Sequence, residues 1–352
     1  MKRVLSFALG VFAAFAGVAC RGRNDTGAAT APGGPPPAAA PRPLRIAMIA
    51  KSASNPSFVA ARTGAENRAR ELSASSNRPI QIEWLTPPQE DGAVQAQRIA
   101  QAVKEGMDAV LLSCSDARAV TPAIDDAVAH GVPVMTFDSD APESKRFAYC
   151  GVDDVRAGEM IMEELARLVP RGAHVAVLAG NRAAPNLSRR VEGVLREAAR
   201  RPDLKVIGTF YTVETPEEAS ATVIHIDAAH PDIEGWAMVG GWALYTKTLL
   251  NDLQQDDRRR KRPVKIVSIN ALPPQLAYVE AGVAPVLLAQ PMYRWGETSV
   301  DAIVDRVTGK KQVPARIPAE LVRVSADNLG GWARQLHAWG FADVPEELLR
   351  AK

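Results

Sequence analysis

Residues 44–58 read Leu-Arg-Ile-Ala-Met-Ile-Ala-Lys-Ser-Ala-Ser-Asn-Pro-Ser-Phe, an apolar run that stops at a polar turn and then opens a helix. Ile46, Met48 and Ile49, with Ala47 and Ala50, leave no polar face. A parallel strand covered by helices on both sides needs that composition, because each of its faces meets a core. Asn55-Pro56 turns the chain: proline biases the residue before it away from helical angles and is itself suited to the first helical position. Lys51, Asn55 and Phe58 therefore lie beyond a strand's carboxyl end, where open α/β sheets bind ligands.

The pattern repeats outward from this stretch. Strands are expected at Ile80–Leu85, Ala109–Cys114, Val132–Phe137 and Phe147–Gly151, with helices around 57–72, 93–104, 119–129 and 155–168. The cycle restarts with strands at His174–Ala179, Val206–Tyr211, Gly235–Val239, Val264–Ile269 and Pro285–Ala289, and helices around 187–200, 216–229, 244–253 and 274–281. Such alternation predicts right-handed crossovers and a doubly wound parallel sheet. Ten or more strands divide more readily into two sheets than one. The fold class is thus α/β: two doubly wound, Rossmann-like domains joined by a hinge, their strand ends facing each other across a cleft.

Lys2 and Arg3 precede an apolar run from Val4 to Ala19 that ends Gly17-Val18-Ala19-Cys20. A basic start, an apolar centre and small residues before a cut read as a signal peptide. Its last four residues resemble the bacterial lipobox, which implies a lipid on Cys20 and a membrane anchor. Arg21 to Pro43 holds six prolines among Gly, Ala and Thr and reads as a tether. Extended as polyproline it reaches on the order of 70 Å at about 3.1 Å per residue. The organisation expected is leader 1–20, tether 21–43, one lobe from 44–153 with 291–318, a second from 154–290 with 319–324, and an extension at 325–352. Trp332, Leu336, Trp339 and Phe341 recur there at helical spacing, as in an amphipathic helix docked on the body.

The 352 residues carry a formal charge of +2 and 5% aromatics, which argues against a nucleic-acid partner. Arg258 to Arg262 is a basic run that reads as a solvated loop, with a contact to lipid headgroups or a transporter subunit as the weaker reading. Three cysteines are too few for a disulfide scaffold. Cys114 and Cys150 would sit two strands apart, roughly 9.5 Å, beyond the bridging limit of about 7 Å. No G-x-S-x-G elbow, H-E-x-x-H pair, Walker loop or compact metal-ligand cluster occurs, so neither catalysis nor a cofactor is expected.

Over residues 44–323 the order of segments resembles the type I periplasmic sugar-binding proteins of the ribose- and galactose-binding kind. Asn55-Pro56-Ser57-Phe58 is similar to that family's Asn-Pro-Phe-Phe turn, and 131–138, Gly-Val-Pro-Val-Met-Thr-Phe-Asp, resembles its strand ending in a sugar-binding aspartate. Arg190-Val191-Glu192-Gly193 resembles its Arg-x-x-Gly segment, 229–233 a segment leading into the next strand, and Ala289-Gln290-Pro291 a hinge strand with a ligand-facing glutamine. The chain departs from the family at Gly240-Gly241-Trp242, where Asn-Asp is common, and at Asn270, often Asp. It departs again at Ser139, where ribose binders have arginine, and at Lys51, commonly a small polar residue. A LacI-type repressor core shares this fold but needs an N-terminal DNA-binding helix pair, where this chain has a leader and tether.

A sugar presents hydroxyls that donate and accept and apolar C–H faces. Its site needs charged or amide side chains with an aromatic platform, because charge-assisted hydrogen bonds are roughly twice as strong as neutral ones. Asp138 is the acceptor expected, although an aspartate before Ser139-Asp140 also suits a turn; Arg190 can donate to two neighbouring hydroxyls. Asn55, Asn270 and Gln290 each offer a donor and an acceptor. Phe58 and Trp242 are the platforms, with interdomain packing the plainer role for Trp242, while Trp84, Trp236 and Trp295 fit packing. Lys51 would pair with Asp138, or with a carboxylate or phosphate on the ligand, or lie solvated at the cleft rim. The resemblance implies a lipid-anchored receptor that closes on a monosaccharide and presents it to an ABC permease; delivery to a sensor kinase or chemoreceptor is the alternative.

Overall fold

The computed structural model describes residues 41–76, 78–257 and 263–351. The leader, Cys20, most of the tether and the basic run 258–262 lie outside the described residues. The first half runs β1 (Leu44–Ile49), α1 (Pro56–Ser75), β2 (Ile80–Trp84), α2 (Gly92–Lys104), β3 (Ala109–Leu112), α3 (Ala117–Ala129), β4 (Val134–Phe137) and β5 (Ala148–Gly151). The second runs α4 (Asp154–Leu168), β6 (His174–Ala179), α5 (Pro185–Ala199), β7 (Lys205–Tyr211), α6 (Pro216–Ala229), β8 (Ile233–Met238), α7 (Lys247–Asp257), β9 (Lys265–Ile269), α8 (Pro273–Glu280) and β10 (Val286–Ala289). The chain closes with α9 (Met292–Thr308), β11 (Arg316–Pro318), β12 (Val322–Ser325), α10 (Leu329–Ala338) and α11 (Glu346–Arg350).

Two six-stranded sheets result, ordered β2-β1-β3-β4-β5-β11 and β7-β6-β8-β9-β10-β12. Every pair is parallel except β10 with β12. The two lobes therefore repeat one winding, and the chain passes between them after β5, after β10 and between β11 and β12. The apolar run of β1 has its expected cause: Ile46 and Met48 join one core with Phe58 and Ala61 of α1, while Ala47 and Ile49 join a second with Ile99 of α2 and Ile124 of α3.

One helix pair in each lobe packs through reciprocal glycines. A Cβ on Gly64 of α1 would collide with the Tyr293 carbonyl of α9, and one on Gly296 of α9 with that of Ala61. The same arrangement joins Gly158 of α4 to Gly193 of α5. Gly193 thus lets α5 sit down on α4 and brings Arg190, one turn earlier, against the strand ends.

The helix expected around 244–253 is divided. Trp242–Tyr245 forms a tight 3₁₀ turn, Thr246 is extended, and its hydroxyl accepts from the Thr248 amide at 3.0 Å to start α7. A threonine that competes for a backbone amide favours a helix start over a helix interior. Cys114 and Cys150 are buried free thiols, with β4 lying between their strands. In the C-terminal segment Trp332 and Leu336 of α10 are buried, and the Trp332 indole donates to the Ala271 carbonyl at 2.7 Å. Trp339 stacks on Tyr293 of α9, with ring centres 5.5 Å apart and planes 2° from parallel.

Candidate functional site

The carboxyl ends of both sheets meet around a cavity of about 30 Å³. Lys51, Asn55, Phe58, Asp138, Arg190, Trp242, Asn270 and Gln290 all line it. Ser57, Asn186, Glu214 and Trp295 join them.

Asp138 and Asn270 hold equivalent places, just past β4 and just past β9, and both have left-handed backbone, φ 57° and 71°. Among non-glycine residues, Asp and Asn tolerate that conformation best. Asp138 accepts from the Ser113 hydroxyl at 2.9 Å and from the Asn186 amide at 3.2 Å. The Asn270 amide donates to Tyr245 at 2.9 Å and, across the cleft, to Ser57 at 3.2 Å. Asn55 caps α1, its carboxamide oxygen accepting from the Ser57 amide at 3.0 Å.

Arg190 is 2% exposed. It donates to Asp154 at 2.9 Å, to the Val239 carbonyl at 3.2 Å and to Gln290 at 2.8 Å, and lies 3.8 Å from Asp138. Gln290 passes the chain of bonds on to Asn270 at 2.9 Å. One guanidinium thereby organises the first carboxylate of α4, the hinge glutamine and the second-lobe asparagine. Burial pushes the Asp154 carboxyl up to about 6 despite the neighbouring Arg190.

Lys51 is neither solvated at a rim nor paired directly with Asp138. It is 3% exposed and donates to Asn186 at 3.1 Å, and the other end of that amide reaches Asp138. Glu90 approaches to 4.0 Å. Burial alone would lower the ammonium's pKa, but the carboxylates of Glu90, Glu214 and Asp138 outweigh it and hold it above its usual value. Burial raises Glu214 from the usual 4.5 to about 7, against the pull of Lys51. Between those values the folded chain holds a proton that the unfolded chain has released, so this group lowers stability as pH rises from about 4.5 to 7. Glu214→Gln is expected to lose less stability than the wild type between pH 5 and 8 in urea titrations; an unchanged difference would mean that Glu214 titrates normally.

Trp242 is 5% exposed, and its indole lies over Gly180 and Gly240, where a Cβ at either position would meet the ring. Phe58 meets Phe137 edge-on at 6.3 Å. Trp295, read from sequence as a packing residue, does pack on Phe137 at 6.2 Å. It also lines the cavity, and its buried indole N–H has no partner among the described residues. Asn186 and the carboxylates Glu90 and Glu214 went unrecognised in the sequence. For Asn186 a signal existed: Pro185-Asn186 opens α5 after β6 just as Asn55-Pro56 opens α1 after β1.

Among the described residues, contacts that cross between the lobes include Lys51–Asn186–Asp138, Arg190 beside Asp138, Ser57 with Asn270 and Tyr245, and the Asn181 amide donating to Glu90 at 3.0 Å. Paired donors and acceptors facing each other from two repeated lobes, with a hinge between, are the arrangement of a two-lobed solute-binding protein. The chain belongs to the family described as the periplasmic binding protein domain, which matches residues 46–311.

It is similar to the ribose import binding protein RbsB of Bacillus subtilis, 26% identical over 268 residues that cover 76% of this chain and 82% of that one. It is also similar to the D-ribose/D-allose-binding protein of Pseudomonas aeruginosa, 24% identical over 55% of this chain and 61% of that one. Among solved structures, an ABC transporter solute binding protein from Burkholderia graminis in complex with D-arabinose matches with a TM-score of 0.75 at 25% identity, over 81% of this chain and 96% of the other. GanP, a glucose-galactose binding protein from Geobacillus stearothermophilus, shares the fold at a TM-score of 0.73 and 22% identity, over 82% and 99%.

Proposed function

We propose that this protein captures a monosaccharide or closely related polar solute between its lobes and delivers it to an ABC permease. The observation that carries the reading is the composition of the cavity: two-sided hydrogen-bonding groups from both lobes, Asp138 and Asn270 in matching positions, enclosed by Phe58, Trp242 and Trp295. Hydroxyls and C–H faces are what such a lining satisfies. The relatives named for ribose and allose support the same class.

At about 30 Å³ the cavity is far below the ~300 Å³ at which small-molecule sites begin. Solute therefore enters with the lobes apart, and the side chains that now bond across the cleft exchange those partners for solute hydroxyls. Contacts made to both lobes exist only when they are together, so solute shifts the population toward closure. The closed shape is what a membrane partner reads. A lipid on Cys20 and the proline tether would hold the receptor in the cell envelope, close to that partner.

The test is a thermal-shift screen against pentoses, hexoses, polyols, uronic acids, sugar phosphates and amino acids. A solute at 100 times its dissociation constant adds about 2.7 kcal/mol of stability. Response to amino acids alone would overturn the sugar reading. Cys20→Ala is expected to move the protein from the membrane to the soluble fraction of cells, and retention at the membrane would remove the anchor.

A further inference from the structure

Lys51 is surrounded by carboxylates, so an anion on the solute finds no open charge there. The uncompensated positive charge of the cleft lies one step away. A second cavity of about 230 Å³ is lined by Arg146, Tyr149 and Arg316 from the first lobe and by Asn186 and Arg189 from the second. Asn186 lines both cavities and so stands between them.

Two carboxylates border this chamber, and both are engaged. Asp140 is held by Arg146 through two bonds of 2.5 and 2.6 Å, and Asp154 by Arg190. Arg189 and Arg316 enter no ion pair among the described residues. Two solvent-exposed arginines thus line one chamber from opposite lobes, neither in an ion pair of its own among those residues; the carboxylate that Arg189 feels, Asp154, is already held by Arg190. The first turn of α5, with Pro185 and Asn186, opens on the same space and adds the positive end of its dipole.

We propose that this chamber is an oxyanion subsite, in which Arg189 and Arg316 clamp a phosphate or carboxylate across the lobes. Guanidinium groups bind such anions through paired, charge-assisted hydrogen bonds. An anion held from both sides is bound by the closed arrangement alone, so it stabilises closure and, by linkage, strengthens capture of solute in the neighbouring cavity. The anion is either part of the solute, reaching past Asn186, or a free ion acting beside it. The inference rests on the solute-binding reading only for what the anion is attached to, because phosphate alone tests the clamp.

The full-length chain and an Arg189→Gln/Arg316→Gln double variant would be titrated with inorganic phosphate against sodium chloride of matched ionic strength, with melting temperature as the readout. Ribose and a pentose phosphate would be titrated alongside by calorimetry. A saturable rise with phosphate in the wild type that is absent from the double variant establishes the clamp. At least tenfold weaker pentose phosphate binding in the double variant, with ribose unaffected, makes the anion part of the solute. Phosphate-dependent tightening of ribose binding that the double variant lacks makes it a free ion. Equal responses of the two proteins to phosphate and to the pentose phosphate would overturn the proposal, whatever the ribose titration shows.

Discussion

Asp138→Ala is expected to weaken solute binding by two orders of magnitude or more while the protein stays folded. Asp138 is the one charged acceptor that projects from the first lobe's strand ends on a left-handed residue, and Ser113 and Asn186 hold its carboxylate in place. Hydrogen bonds to a charged group contribute about 1.5–3 kcal/mol each, so two of them account for about 3–6 kcal/mol. Alanine also sits less easily than aspartate at positive φ. Asp138→Asn separates these effects, because asparagine tolerates the backbone and keeps one acceptor oxygen without the charge. Titration calorimetry with the solute found by the screen should rank wild type above Asn and Asn above Ala. An unchanged dissociation constant in both variants would remove Asp138 from the site.

Arg190→Met is expected to act on stability as well as binding. Methionine fills much of the space but leaves Asp154 and Asp138 buried without their guanidinium, and breaking a buried pair from one side costs about 3–5 kcal/mol. The loss has a pH signature. Asp154 is already raised to about 6 with Arg190 beside it, and without that cation it rises further. The folded variant then holds a proton that the unfolded chain releases above its ordinary value, so stability falls as pH rises. The deficit against wild type, measured by denaturant titration, should be larger at pH 8 than at pH 5. Arg190→Lys should not restore the wild type, since one ammonium cannot serve Asp154, Val239 and Gln290 in the fork that the guanidinium spans. A deficit below 1 kcal/mol for Arg190→Met would mean that the two carboxylates find other partners. These two variants also bear on closure from different sides: Asp138 belongs to a cross-lobe chain of bonds, whereas Arg190 steadies the second lobe and the hinge.

The alternation of apolar runs with helical segments determined by itself that the protein has two parallel sheets. A strand buried on both faces cannot disguise its composition, and β1, with its residues divided between two cores, is the plainest case. The places of Lys51, Asp138, Asn270 and Gln290 beyond strand ends followed from the same pattern, because a parallel winding puts every such turn on one edge. What those groups do to one another was decided only in three dimensions. Lys51 and Asn186 are 135 residues apart, and Glu90 and Glu214 stand in loops after the two edge strands, with nothing local to distinguish them from surface glutamates. Whether a lysine is an open anion receptor or a neutralised one depends on which carboxylates the fold gathers around it, here Glu90 and Asp138 from its own lobe and Glu214 from the other. So does the exposure of Arg189 and Arg316 to an unfilled charge. Periodicity encodes burial along one chain segment, whereas charge compensation is a property of the approach of segments that the sequence keeps far apart.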